Sequence, residues 1–185
     1  DYIDKKKGTN IKIKKIYLYQ RNNFSFKSIN INLKFINKDF LNVKKFPEID
    51  YVIFGIKSNS LKNSKLIYRH FKTKILLLKK RPKIILLSSG AVYGPTSKIK
   101  KISEKKTINT NLINNFTNYK KNYAKEKIFL EKNFLGLRKK NFNVSIVRGF
   151  TFVGKYLPQN SIYLIGNLIE NKINNKNLIF NSNKR

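Results

Sequence analysis

The stretch IILLSSGAVYGP (residues 84–95) decides the fold of this chain. Its apolar first half is typical of a strand buried in a parallel sheet. The run stops abruptly at two hydroxyls, Ser88 and Ser89, and a glycine, Gly90, follows at once. Small polar side chains at a strand end, beside a residue that lets the backbone turn, indicate either a plain edge or the rim of an active site.

Apolar runs alternate with amphipathic stretches along the rest of the chain, which predicts a βαβ architecture. Residues 96–118 are polar and are expected to form a surface loop. The strands are expected over 13–20, 33–40, 49–55, 83–89 and 142–149, and the helices over 58–80, 119–140 and 161–172. This order predicts an α/β fold, a Rossmann-type doubly wound parallel sheet, whose ligands bind at the carboxyl ends of the strands. The position of Ser89 therefore favours an active-site rim.

The composition narrows the class of protein. With 41% hydrophobic residues in 185, the chain can bury a sizeable core. It has no cysteine and one histidine, His70, so no metal site is expected, and His70 is predicted to be a solvated side chain. No apolar run approaches the roughly 18 to 20 residues of a membrane span, and no signal-peptide pattern opens the chain. A soluble cytoplasmic protein with no membrane partner is predicted.

The charge leaves an alternative of another functional class open. Lys and Arg number 41 against 9 acids, a formal net charge of +32, which ordinarily indicates a nucleic-acid partner. A basic nucleic-acid-binding protein is therefore the alternative. Only six of the 41 are arginine, however, whereas phosphate and base recognition favours arginine. The even spread of Lys, Asn and Ile favours a genomic base bias, with no specific nucleic-acid partner.

Tyr123 and Lys127, within YAKEK, are four residues apart and so lie on one face of a predicted helix. A phenol has a pKa of about 10. A nearby ammonium favours the ionised phenol and makes it a usable proton acceptor. The pair alone is a weak signal, because the chain has 10 tyrosines and many lysines.

Three motifs in order, SSGAVYGP, YAKEKIFLEK and VRGFTFVGKYLP, resemble the extended short-chain dehydrogenase/reductase family, specifically the NAD-dependent epimerase/dehydratase group that acts on nucleotide sugars. The resemblance covers most of the chain. It implies a catalytic set of Ser89, Tyr123 and Lys127. Tyr123 would take the proton of a substrate hydroxyl, Ser89 would bind the same oxygen, and Lys127 would hold the cofactor ribose. Ser88 is then expected to be structural.

The resemblance also implies the residues around cofactor and substrate. No acid follows the strand that ends near Gln20, where the family places the acid that binds the ribose of NAD. Arg21 could accept a 2′-phosphate there, which slightly favours NADP over NAD. Tyr93 is either a core residue or a wall on the substrate side. The implied cofactor contacts are Arg21, Asp39, Phe40, Phe54, Gly55, Tyr123, Lys127 and Gly149, and the substrate contacts are Ser89, Gly90, Tyr93, Phe150 and Thr151.

One departure from the family concerns the glycines. The eight glycines form no Gly-x-x-Gly-x-x-Gly turn, which in the family holds the cofactor pyrophosphate at a helix N-terminus. With no methionine either, the sequence predicts a fragment truncated at both ends; a degraded paralogue is the alternative. Residues 1–150 would be a partial NAD(P)-binding domain without its first strand and glycine-rich loop, and residues 151–185 would begin the substrate-binding region.

The residues after Ser89 bear on the reaction type. In nucleotide-sugar 4,6-dehydratases of the family, an Asp-Glu pair at this place supplies the acid and base that eliminate water. Here the two places hold Gly90 and Ala91, which cannot transfer protons. The sequence predicts epimerase- or reductase-type chemistry on a nucleotide sugar, in polysaccharide biosynthesis, with a dehydratase as the alternative. A homodimer is left open.

Overall fold

The computed structural model describes residues 13–20, 33–37, 39–58, 60–95, 101–150 and 164–176. From residue 51 onward strands and helices alternate, as the sequence pattern predicts, and two strands over 16–20 and 33–37 precede them. Short 3₁₀ turns follow several of the strands and helices. The strands are β1 (Ile16–Gln20), β2 (Leu33–Asn37), β3 (Tyr51–Phe54), β4 (Lys83–Ser89) and β5 (Val144–Gly149), and the helices are α1 (Leu61–Ile75), α2 (Asn118–Gly136) and α3 (Leu164–Ile173).

Every described strand pair is parallel. β1 pairs with β2, and β4 lies between β3 and β5, with Ser89 opposite Gly149. Parallel strands joined by helices are the repeating unit of the doubly wound fold, so the predicted Rossmann-type class is confirmed. Within the described strands the two groups are not hydrogen-bonded to each other. In the Rossmann order 3-2-1-4-5-6 a first strand separates the second from the fourth. The predicted correspondence of β1 to the fold's second strand agrees with this break and stays a prediction.

The core beside β3 and β4 is aromatic. Phe54 of β3 packs on Phe71 of α1 and Phe134 of α2, with ring centroids 5.0 and 4.8 Å apart, and Phe71 stacks on Phe134 at 5.3 Å. All three rings are almost completely buried. Each large ring removed from water contributes on the order of 2–3 kcal/mol. This cluster therefore holds both helices against the same face of the sheet.

Helix α1 differs from its prediction at its C-terminal end. It stops at Ile75, five residues before the predicted end. The guanidinium of Arg81 donates to the carbonyls of Leu76 (3.2 Å) and Leu78 (2.9 Å), which satisfies backbone acceptors that a longer helix would have used. At the N-terminus, the Ser60 hydroxyl accepts from the Asn63 amide and caps the first turn.

The prediction that His70 is only solvated is wrong. Its side chain is half-buried, and Nε2 lies 3.0 Å from the Val43 carbonyl oxygen. The ring also meets Phe40 edge-on, with centroids 5.4 Å apart. A polar helical face in the sequence does not reveal that the segment after β2 folds back over it.

Helix α2 carries buried charge. Glu126, Lys127 and Glu131 are each no more than 5% exposed. Lys127 and Glu131 bind residues of β4, whereas Glu126 binds Ser58 in the segment after β3. None of the described helices is long and apolar enough to cross a membrane. Among the same residues, no three His, Asp or Glu side chains cluster as metal ligands. The predicted boundary after residue 150 adjoins residues 151–163, outside the described ranges, and stays a prediction.

Adjacent residues of α1 provide a test of this packing. Ile67 is 4% exposed and Leu66 is 50% exposed, although both belong to the apolar pattern of the helix. We expect Ile67→Ala to lower the free energy of unfolding by about 2–5 kcal/mol, because it leaves a cavity in the core. Leu66→Ala is the matched control and should change it by only about 0.5 kcal/mol. Urea titration followed by circular dichroism measures both; equal losses would contradict the described orientation of α1.

Candidate active site

The two serines at the end of β4 point in opposite directions, because successive strand residues alternate. Ser88 is 6% exposed, and its hydroxyl donates to Oε1 of Glu131. Ser89 is half-buried, and its Oγ accepts from the Ala91 amide at 3.2 Å, capping the 3₁₀ turn Gly90–Tyr93. Ser88 thus joins strand to helix, as expected of a structural hydroxyl, while Ser89 borders open space.

That open space is a cavity of about 510 Å³ at the carboxyl end of β4. Among the described residues, its walls combine hydroxyl, amide and aromatic groups with one ammonium, that of Lys120, and include no carboxylate. The lining residues are Ser89, Gly90, Ala91, Gly94, Pro95, Asn115, Phe116, Thr117, Lys120 and Phe150. A concave site with a few convergent polar groups at a strand end is the usual form of a ligand site in this fold.

The predicted pair on α2 lies at the same strand end. The Nζ of Lys127 donates to the Leu87 carbonyl at 3.2 Å and lies 5.6 Å from the ring centroid of Tyr123. Burial lowers the pKa of Lys127; the charge of Glu126 opposes this shift, and Lys57 adds to it. Leu87 is two residues before Ser89, so the structure brings Lys127 and Tyr123 to the end of β4. Of the three predicted catalytic residues, Ser89 alone lines the cavity.

Glu126 fastens the segment that follows β3 to α2. Its Oε2 accepts from the Ser58 hydroxyl at 3.0 Å, and its Oε1 accepts from the Ser58 amide at 3.4 Å. The Ser58 hydroxyl also meets that of Ser64 on α1, at 2.6 Å. The carboxylate therefore fixes Ser58, three residues after Gly55, against both helices.

Glu131 forms an ion pair with Arg148 of β5. The guanidinium donates from Nη2 to Oε2 at 2.7 Å and from Nε to Oε1 at 3.0 Å, a bidentate arrangement. The hydrogen bond to Glu131 raises the pKa of Arg148, and Arg148 stays charged. The remaining Nη1 donates to the Tyr93 hydroxyl at 2.6 Å. Tyr93, predicted as either a core residue or a substrate wall, is 3% exposed and does not line the cavity.

The residues that the resemblance implies as cofactor contacts differ in exposure and packing. Asp39 is exposed and caps its own turn by accepting from the Leu41 amide at 3.0 Å. Phe40 and Phe54 direct their rings into aromatic packing, so their side chains face the core. Gly55 is exposed at the end of β3, and Gly149 ends β5 opposite Ser89. Arg21 and Thr151 lie outside the described residues.

Sequence reasoning missed one wall of the cavity and the buried carboxylates behind it. Asn115, Phe116, Thr117 and Lys120 come from a polar stretch predicted only as a loop and the start of a helix. The single available signal was the order of polar and aromatic residues just before α2. Glu131 and Arg148 lie 17 residues apart, and no spacing in one sequence identifies them as partners.

The chain is similar to a known protein family in sequence and to a solved structure in fold. The family model of the NAD dependent epimerase/dehydratase family matches residues 29–183. A crystal structure from Burkholderia cenocepacia J2315, described as a "putative epimerase", aligns with a TM-score of 0.63 at 16% identity, over 86% of this chain and 52% of that one. At this identity the likeness shows the fold alone, and the chain spans about half the length of that structure. No curated protein sequence matches.

The family model covers well over half of the chain, and it includes β4 with Ser89, α2 with Tyr123 and Lys127, and β5 with Arg148. On that ground, the chain belongs to the NAD-dependent epimerase/dehydratase family.

Proposed function

We propose that the chain is the Rossmann part of an NAD(P)-dependent nucleotide-sugar epimerase or reductase that uses Ser89, Tyr123 and Lys127. One observation carries the proposal. Ser89 lines the cavity at the end of β4, while the ammonium of Lys127 is fixed to the carbonyl of Leu87 on that strand and lies against the Tyr123 ring. The family's nicotinamide chemistry needs a hydroxyl, a proton acceptor and a cation near one another, and the positions of Ser89 at the cavity and of the Lys127–Tyr123 pair beside Leu87 support this assignment.

Each residue has a distinct role. The Ser89 hydroxyl donates a hydrogen bond to the oxygen of the reacting sugar carbon. Tyr123, as phenolate, takes the proton of that hydroxyl during oxidation and returns it during reduction. Lys127 supplies a positive charge beside the Tyr123 ring, and its hydrogen bond to Leu87 keeps the ammonium at this distance from the ring. A cytoplasmic location, a homodimer and a role in polysaccharide synthesis stay predictions.

A nicotinamide cofactor fits part of this site. Gly55 is exposed at the end of β3, where the missing side chain allows a ligand to approach the backbone. The ammonium of Lys127 is bound to the neighbouring strand β4, at Leu87, and is the candidate partner of the ribose hydroxyls. The pyrophosphate lacks a cradle, because the 185 residues contain no glycine-rich turn. When bound, the cofactor supplies the hydride acceptor and donor. The choice between NAD and NADP stays open.

The space around Gly90 supports epimerase or reductase chemistry over dehydration. A Cβ built on Gly90 would overlap the ring of Phe150. An acid at position 90 would require that ring to move, and Ala91 carries no ionisable group. Elimination of water without a positioned acid would lose about 10²–10⁴-fold in rate. The dehydratase is therefore the second candidate.

Tyr123 and Tyr119 provide a matched pair on α2. We expect Tyr123→Phe to reduce kcat by about 10²–10⁴-fold, because the proton acceptor is lost. Tyr119→Phe makes the same change at a side chain that is 66% exposed and outside the cavity, and it should retain activity. Hydride transfer, read as nicotinamide absorbance at saturating cofactor with a panel of nucleotide sugars, measures both. Equal losses in the two variants would contradict the assignment.

The reaction type is tested by the mass of the product. Because residues 90 and 91 provide no acid and base, we expect a product of the same mass as the substrate, or heavier by two hydrogens. Mass spectrometry of nucleotide sugars incubated with protein and cofactor gives the answer. A product lighter by one water would establish the dehydratase instead.

The affinity for the cofactor tests whether the absence of a glycine-rich turn weakens binding of the pyrophosphate. We expect the 185-residue chain to bind NAD and NADP with a Kd of roughly 1 mM or weaker, about −4 kcal/mol, because the pyrophosphate gains no helix N-terminus. Isothermal titration calorimetry measures this directly. Binding with a Kd near 1 μM would show that other residues of this chain hold the pyrophosphate.

A further inference from the structure

The ion pair of Glu131 and Arg148 links further segments besides α2 and β5. Glu131 of α2 is buried and accepts from Arg148 of β5 and from Ser88 of β4. Arg148 Nη1 donates to the Tyr93 hydroxyl and, at 3.3 Å, to the Glu104 carbonyl. The carboxylate and the guanidinium are thus held from several sides. Such a network fixes the orientation of whatever rests on it.

Tyr93 is the link between this network and the cavity. The Arg148 guanidinium lies 5.0 Å from the Tyr93 ring centroid and also binds its hydroxyl. On the cavity side, the Tyr93 ring runs nearly parallel to Phe150, with an interplanar angle of 9° and centroids 6.2 Å apart. This is an offset stack, the arrangement that aromatic pairs prefer.

Phe150 is held between Tyr93 and the bare backbone of Gly90, where no side chain would fit. It is nevertheless 62% exposed and forms a wall of the cavity next to Ser89. An aromatic ring held from behind and open toward a polar cavity offers its electron-rich face to a ligand. The C–H groups on the apolar face of a sugar ring carry partial positive charge and complement that face.

We propose that Phe150 is the platform for the apolar face of the substrate's sugar ring, and that Glu131 and Arg148 are positioning residues that hold this platform through Tyr93. The proposal rests on the proposed function, since it assigns the sugar to the cavity beside Ser89. Stability alone does not account for the pair, because a buried ion pair is often no more stabilising than apolar residues of the same volume. Only a guanidinium reaches the carboxylate, the Tyr93 hydroxyl and the Glu104 carbonyl together.

The positioning role can be measured without any ligand. The chain contains no tryptophan, so F150W supplies a single tryptophan at the platform, which is excited at wavelengths where the ten tyrosines do not absorb. In that background, E131Q and Y93F should raise the acrylamide quenching constant by roughly twofold, since the ring changes from held to freely rotating. Y93F keeps the ring and the ion pair, so it tests the link even if E131Q unfolds the chain. Glu48→Gln, at an exposed carboxylate outside this network, is the control. Unchanged quenching in Y93F and in a folded E131Q would overturn the positioning role.

The platform role is measured as a ratio of affinities. The probes are UDP-glucose, dTDP-glucose and GDP-mannose, each compared with its own nucleoside diphosphate. Phe150→Ala should weaken binding of the preferred nucleotide sugar by about tenfold, or about 1.4 kcal/mol, and leave the diphosphate unchanged. E131Q and Y93F should lower the ratio in the same direction. Equal losses for both ligands would overturn the platform. If no probe binds and no hydride transfer occurs, the proposed function and the platform fail together, while the fluorescence still decides the positioning role.

Discussion

Buried charges on α2 must each find a polar partner, and this requirement determines how the helix sits on the sheet. Lys127 finds the carbonyl of Leu87, Glu126 finds Ser58, and Glu131 finds Ser88 and Arg148. Breaking a buried ion pair by removing one partner costs about 3–5 kcal/mol, so the helix has little freedom to rotate or slide. The aromatic cluster beneath supplies the burial energy, but ring packing alone would tolerate small shifts of register. The polar contacts select one arrangement, and that arrangement brings Tyr123 to the end of β4.

Because side chains alternate along β4, the two adjacent hydroxyls at its end have different contacts. Ser88 faces the helix and joins the ion pair, whereas Ser89 faces the cavity and caps the turn that begins at Gly90. The same strand end therefore carries both the support of the site and a group able to touch a substrate. Gly90 has a second consequence, because its missing side chain leaves the space that the ring of Phe150 fills. The proposed sugar platform and the absence of an acid at position 90 share this one cause.

The high net charge has to be interpreted together with the family and the fold. A formal charge of +32 would suit a nucleic-acid-binding protein, yet the chain belongs to a family of nicotinamide enzymes, and its cavity holds a single ammonium among its described walls. Two of the described arginines have specific structural contacts. Arg148 binds a carboxylate bidentately, and Arg81 closes a helix end. Lysine is the most frequent cation of this sequence, and the absence of a specific nucleic-acid partner stays a prediction.

The sequence by itself determined the order and type of the elements, because hydrophobic periodicity is local and the chain follows it closely; β4 was predicted residue for residue as 83–89. It also determined the family, since three motifs occur in a fixed order. The tertiary structure decided which apolar residues are buried, so that Ile67 enters the core and Leu66 does not. It also turned the Phe54 ring toward Phe134, and it paired Ser88 with Glu131 across 43 residues and Tyr93 with Arg148 across 55. Such pairs cannot be predicted from one sequence, because a hydrogen bond between distant segments has no characteristic separation along the chain.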